Sequence, residues 1–130
     1  MSQSSDSPAV ELARAHVEAW SAKDWDQARS MLAPDVHVIA MSTNPALPHT
    51  DLTGADEYMT GLVAYADAIV PGSVRELACT GDQQNALLTL DLRMAGGPFG
   101  AGAAAPCARL YLVEDGKIKT EQVVFYVGQV

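Results

Sequence analysis

Three side chains in this 130-residue sequence have the type and surroundings to move protons: Asp91, His16 and Glu121. A carboxylate shut into apolar surroundings loses hydration of its charged form, so its pKa climbs towards the range where it trades protons. Asp91 stands in NALLTLDLRM, where Ala86, Leu88, Leu90, Leu92 and Met94 share one face of a strand and Asp91 and Arg93 the other. Two readings follow: a carboxylate projecting into an enclosed site, or part of a half-solvated face whose Arg93 pairs with an acid on a neighbouring strand. His16 falls between Ala13 and Trp20 on the apolar stripe of a helix, where its imidazole could exchange a proton with a bound oxygen or be satisfied by a backbone carbonyl. Glu121 has the strand parity of Val123 and Phe125, which makes it a second candidate interior carboxylate, while its place near a turn favours solvent. His37 and His49 are expected at the surface.

Other chemistries lack their residues. Cys79 and Cys107 are far apart, with no CxxC and no nearby histidine, so metal-ligand spacing is absent and two reduced thiols are expected. No Ser-His-Asp order is persuasive, and no phosphate-cradling glycine loop follows a strand and opens a helix. No cofactor and no metal are expected. The net charge of −8 and pI near 4.6 disfavour a nucleic-acid partner, because no Lys/Arg cluster interrupts the acidity. No run approaches the ~20 apolar residues of a membrane span, and MSQSSDSP lacks the features of a secretory signal, so the expected location is cytoplasmic.

The elements that must hold these groups are readable in order. Ser7-Pro8 is an N-cap with proline at the first helical position, and Val10, Ala13, Val17 and Trp20 recur at helical spacing to about Lys23. Residues 1–8 are expected as a flexible tail ahead of a single domain, 9–130. Asp24 with Gln27 caps a short second helix that Pro34 stops, and Val36 to Met41 reads as a strand. STNPALPHTDLT carries too many breakers for regular structure. Thr53 with Asp56 predicts the cap of a third helix, whose stripe includes Tyr58, Leu62, Tyr65 and Ile69. Two hairpins follow. Val74–Thr80 with Asn85–Met94 form the first, and Cys107–Glu114 with Ile118–Tyr126, turning at Asp115-Gly116, form the second. The second should be central, because Val123 to Val127 leaves neither face polar. The connector AGGPFGAGAAAP is either a mobile lid or a long hairpin loop.

This order, with ARAHVEAWSAKDWDQARSMLAPDV near the start and LYLVEDGKI near the end, resembles the SnoaL-like branch of the nuclear transport factor 2-like superfamily over residues 9–127. The resemblance implies an α+β fold: a cone-shaped α+β barrel, three N-terminal helices packed on a strongly curved antiparallel sheet. Among relatives of this kind are polyketide cyclases, limonene epoxide hydrolase, ketosteroid isomerase and binding modules. Carried across, the isomerase's base falls at Ala40 and its hydroxyl donor at His16. The epoxide hydrolase's arginine and aspartates fall at about Thr89, Asp91 and Val123, so only Asp91 keeps its chemistry. The resemblance therefore points to Asp91 as acid/base and His16 as hydrogen-bond partner. Trp20, Val38, Ala40, Tyr58, Leu62, Glu121, Val123 and Phe125 would form the walls for a small apolar or polyketide-like ligand. The implied function is cofactor-free cyclisation, isomerisation or epoxide opening; the alternative is a non-catalytic ligand-binding or interaction protein. A homodimer is expected, since apolar residues on both faces of the sheet would leave an exposed patch.

Overall fold

The computed structural model describes residues 7–43, 49–96 and 101–126. The chain opens with α1 (Pro8–Ser21) and α2 (Trp25–Ser30), then β1 (Leu32–Ser42), β2 (Thr50–Thr53) and α3 (Ala55–Asp67). It finishes with β3 (Arg75–Gly81), β4 (Asn85–Asp91), β5 (Cys107–Glu114) and β6 (Lys117–Phe125). The caps at the first two helices form as their sequences dictate. Ser7 Oγ accepts from the Val10 N–H at 3.3 Å, and an Asp24 carboxylate oxygen accepts from the Gln27 N–H at 3.4 Å. Helical structure thus begins at residue 8, inside the stretch expected as tail; residues 1–6 lie outside the described residues.

The third cap differs from the expectation. Gly54, at φ +94°, is the N-cap of α3, and the Glu57 side chain reaches back to the Thr53 N–H at 3.0 Å. A four-residue strand runs straight into this helix, and the reversal needs a left-handed residue that glycine supplies without strain. That strand, β2, is itself a correction, because regular structure was not expected in STNPALPHTDLT. It forms by pairing with β1, Val38 opposite Leu52 and Ala40 opposite Thr50. Tertiary pairing outweighs weak local propensity here.

The six strands make one sheet in the order β2-β1-β6-β5-β4-β3. The β5–β6 hairpin is central, and its turn places Asp115 at φ 54° and Gly116 at φ 73°, as a tight Asp-Gly turn requires. Two features of the expected sheet need correcting. β1 and β6 run parallel, so the sheet is mixed rather than antiparallel. The sheet is also open, with β2 and β3 as its edges, rather than a strongly curved cone. Its inner face is covered by helices, α1 over β3, β4 and β5 and α3 over β1 and β2, so burial is achieved without closure.

Ala86, Leu88 and Leu90 of β4 are buried while Leu87 is exposed, the alternation that the sequence carries. The connector continues the β4–β5 ladder where it is described: the Ala105 N–H donates to the Leu92 carbonyl at 2.9 Å and Arg93 bridges Ala104. Residues 97–100, on which the lid reading rests, lie outside the described residues. Both cysteines are free thiols, Cys107 buried and Cys79 half-buried.

Candidate active site

Two adjacent rows of the inner sheet face build the site. One runs Leu52, Val38, Glu121, Tyr111 across β2, β1, β6 and β5; the next runs Thr50, Ala40, Val123, Arg109. Arg109 and Glu121 are therefore diagonal neighbours across the central hairpin, within reach of long side chains. The α3 residues Tyr58, Gly61, Leu62 and Tyr65, at helical spacing, face these rows. Between them lies a cavity of about 220 Å³. Every wall residue expected from the resemblance lines it except Trp20: Val38, Ala40, Tyr58, Leu62, Glu121, Val123 and Phe125.

The polar end of this cavity is a buried ion pair. Arg109 Nη1 donates to Glu121 Oε2 at 2.7 Å, with the two side chains 4% and 1% exposed. The Tyr58 hydroxyl donates to the other Glu121 oxygen. The Arg109 guanidinium carbon lies 5.0 Å from the Trp20 ring centroid and 5.2 Å from that of Tyr65, inside cation–π range. Trp20 thus supports the site by holding Arg109 rather than by forming a wall.

Burial sets the protonation states. It pushes the Tyr58 and Tyr111 phenols well above their ordinary value, with the Glu121 charge adding to the effect, so both keep their protons. Burial likewise pushes Tyr65 up to about 12, against the opposing pull of Arg109. It drives His16 down to about 4, an effect that Glu121 opposes and Arg109 reinforces, so the imidazole is neutral at pH 7. His16 stacks edge-on against Tyr58, centroids 5.8 Å apart, and does not line the cavity. The resemblance made it a hydrogen-bond partner of the ligand; in the structure it contacts Tyr58, whose hydroxyl donates to Glu121.

Several buried polar atoms here lack a hydrogen bond of good geometry: Arg109 Nε, Tyr65 Oη, Tyr111 Oη, Trp20 Nε1 and both His16 ring nitrogens. Arg109 Nε, Tyr65 Oη, Tyr111 Oη and Trp20 Nε1 each carry an N–H or O–H donor, and the neutral imidazole carries one N–H and one acceptor nitrogen. Native interiors rarely leave such groups unmatched, and two of them, Arg109 and Tyr65, line the cavity beside Glu121, where acceptor oxygens from water or ligand can meet them.

Asp91 is elsewhere. It ends β4 opposite Arg75 of β3, whose guanidinium approaches its carboxylate at 3.3 Å, and it is not among the cavity's lining residues. The half-solvated-face reading describes its surroundings, and the acid that pairs across strands is Asp91 itself, with Arg75. Such an exposed pair contributes ~0–1 kcal/mol. His37 pairs with Asp51 at 2.7 Å at the surface, and His49 is exposed. Arg109 was missed in the sequence, although a signal existed: in CARLYLV it shares strand parity with Cys107 and Tyr111, an arginine on an otherwise apolar face. Among the described residues no cluster of His, Cys, Asp or Glu could hold a metal ion.

Residues 13–121 match the SnoaL-like domain. The chain belongs to this family. Among solved structures, a Kribbella flavida DSM 17836 protein is 26% identical to this SnoaL-like chain, covering 91% of it and 86% of its own length at a TM-score of 0.76. A Sinorhizobium meliloti protein described as a candidate polyketide cyclase is 22% identical, with 94% and 99% covered and a TM-score of 0.69. A Catenulispora acidiphila DSM 44928 protein with a ketosteroid isomerase-like fold, solved with trimethylamine, is 16% identical, with 87% and 83% covered and a TM-score of 0.68. The last two likenesses establish fold alone. No curated protein matches the chain. Among the described residues, no helix is long and apolar enough to cross a membrane.

Proposed function

We propose that this SnoaL-like protein catalyses proton transfer on a small, largely apolar molecule bearing a carbonyl oxygen, held between α3 and the sheet without a resident cofactor. What carries the reading is Glu121: a carboxylate 1% exposed, on the wall of an apolar cavity, beside Arg109 and Tyr65, whose Nε and Oη lack a hydrogen bond of good geometry. A buried ion pair is weak support for stability, since apolar replacements often do as well. Its position on the wall of an apolar cavity favours a functional role.

In the proposed reaction Glu121 takes a proton from the carbon next to the carbonyl. The C–H electron pair becomes a C=C bond, and the carbonyl π pair moves onto oxygen. Tyr65, whose raised pKa keeps its proton in place, and Arg109 supply the donors that stabilise that oxygen. Returning the proton to a different carbon gives isomerisation. Attack of the same carbanion on a second carbonyl forms a C–C bond and a ring, the π pair of that carbonyl moves onto its oxygen, and the proton held by Glu121 passes to the alkoxide. A carbonyl suits the site better than an epoxide, because Glu121 is the one carboxylate among the described lining residues and ring opening of an epoxide draws on separate acid and base.

A test needs no knowledge of the natural substrate. Cyclohexanone in D₂O should exchange its α-protons faster with the protein than with buffer, as read by proton NMR. Glu121→Gln should lose about 10²–10⁴-fold of that acceleration, Tyr65→Phe a smaller part, and Asp91→Asn none. Binding without acceleration would leave a second reading, a small-ligand-binding protein. That reading is favoured by one observation: both Glu121 oxygens already accept hydrogen bonds, as a fixed anchor's would.

The proposal extends to assembly. Leu87 and Leu110 are cross-strand partners on the outer sheet face, and both are exposed, as are Met41 and Leu77. A second copy of the chain, placed sheet to sheet, would cover them. Sedimentation at micromolar concentration should give twice the 13.7 kDa chain mass; a clean monomer would remove the dimer.

A further inference from the structure

Gly61 is an anomaly within α3. Glycine destabilises a helix interior relative to alanine, and this one is not among the residues at positive φ, so the backbone does not require it. Space accounts for it. A Cβ at residue 61 would stand 2.7 Å from the Leu52 Cδ1, the end of a flexible side chain on the edge strand β2. Gly61 and Leu52 both line the cavity, and they are where its helix wall meets its edge-strand wall. Leu52 lies this close to α3 only because residue 61 has no side chain.

We propose that the Gly61–Leu52 contact is the size-selecting element of the cavity; this rests on the reading above that the cavity binds a small ligand. A methyl group at residue 61 must displace Leu52. The side chain can turn outward into water or inward into the apolar cavity, and the hydrophobic effect favours inward. Added bulk at residue 61 therefore shrinks the space for ligand, and lost bulk at residue 52 enlarges it. The native volume, about 220 Å³, equals only about seven waters at ~30 Å³ each, so it admits a single ring with short substituents.

The experiment compares the dissociation constants of cyclohexanone and the larger 2-acetonaphthalene by calorimetry in the native protein, Leu52→Ala and Gly61→Ala. The ratio of the large probe's constant to the small one's should fall about tenfold in Leu52→Ala and rise about tenfold in Gly61→Ala, the range expected when a pocket gains or loses a few methylene-sized spaces. Leu52→Ala changes a half-buried edge position and carries the test by itself should Gly61→Ala not fold. A ratio unchanged in both variants, or moving the same way in both, overturns the proposal while leaving the ligand reading intact. Failure of the native protein to bind either probe overturns the ligand reading, and size selection falls with it.

Discussion

Glu121→Ala should destabilise the fold by about 3–5 kcal/mol, the cost of leaving a buried guanidinium without its counter-charge. Arg109 is 4% exposed at its side chain, Glu121 holds its Nη1, and among the described lining residues no second carboxylate stands ready to take over. Tyr58 loses its acceptor in the same step and becomes a second buried group without a partner. For a chain of this length the loss would lower the melting temperature by about 10 °C or more. The informative comparison is the double replacement Arg109→Met with Glu121→Leu, which removes both charges and keeps volume. Its stability should lie within about 2 kcal/mol of the native protein, on either side. The two single variants and the double form a cycle in urea unfolding, and the coupling should be large. A cost below ~1 kcal/mol for Glu121→Ala would mean that water already reaches the pair, and the dry cavity needed for proton transfer would be lost with it. With those outcomes the native pair would contribute little net stability while being costly to break.

Acid should weaken the protein through His16 by about 2–3 kcal/mol between pH 7.5 and pH 4.5. The imidazole ordinarily titrates near 6.5 and is held down to about 4 by burial in the folded state. Between those values the unfolded chain binds a proton that the folded chain refuses, so stability falls as pH drops through 6.5 and levels off below about 4. The full difference corresponds to ~3 kcal/mol, at about 1.36 kcal/mol per pKa unit. The groups facing the ring are Tyr58, edge-on, the Glu121 and Arg109 charges, and the Ala28 backbone. Asp35, Glu76 and Asp82, whose pKa values are lowered by their hydrogen bonds, also lose stabilisation in acid, and they do so in any His16 variant. Unfolding midpoints of the native protein and His16→Leu at the two pH values isolate the effect. The native protein should lose about 2–3 kcal/mol more than the variant; parallel losses would show that His16 protonates freely in the folded state.

Much of the scaffold was written locally. The serine and aspartate caps, the Asp-Gly turn and the period-two pattern of β4 need only neighbours in sequence, and each forms as its residues dictate. The residues from Val38 to Phe125 that the SnoaL-like resemblance named as walls line one pocket between α3 and the sheet, Trp20 excepted. The buried charged pair was not legible in the same way. Asp91 was favoured by carrying a relative's position across, but its strand parity pointed outward, and outward is where Arg75 meets it.

Glu121 shows what the chain order alone left open. Counting back from the Asp115-Gly116 turn pairs Glu114 with Lys117 and Val113 with Ile118, and the same count would set Glu121 opposite Leu110 on the outer face. The ladder slips by one residue between Val113 and Leu112, so Glu121 stands opposite Tyr111 and turns inward. A one-residue shift in a strand exchanges its faces. The amino-acid sequence by itself determined the helices, the strands other than β2 and an apolar interior, because those depend on spacing along the chain. Which charges entered that interior was decided by the bulge in β6 and by the pairing of Arg109 with Glu121 across the hairpin, because a buried charge is tolerable only where the assembled fold brings its partner within hydrogen-bond reach.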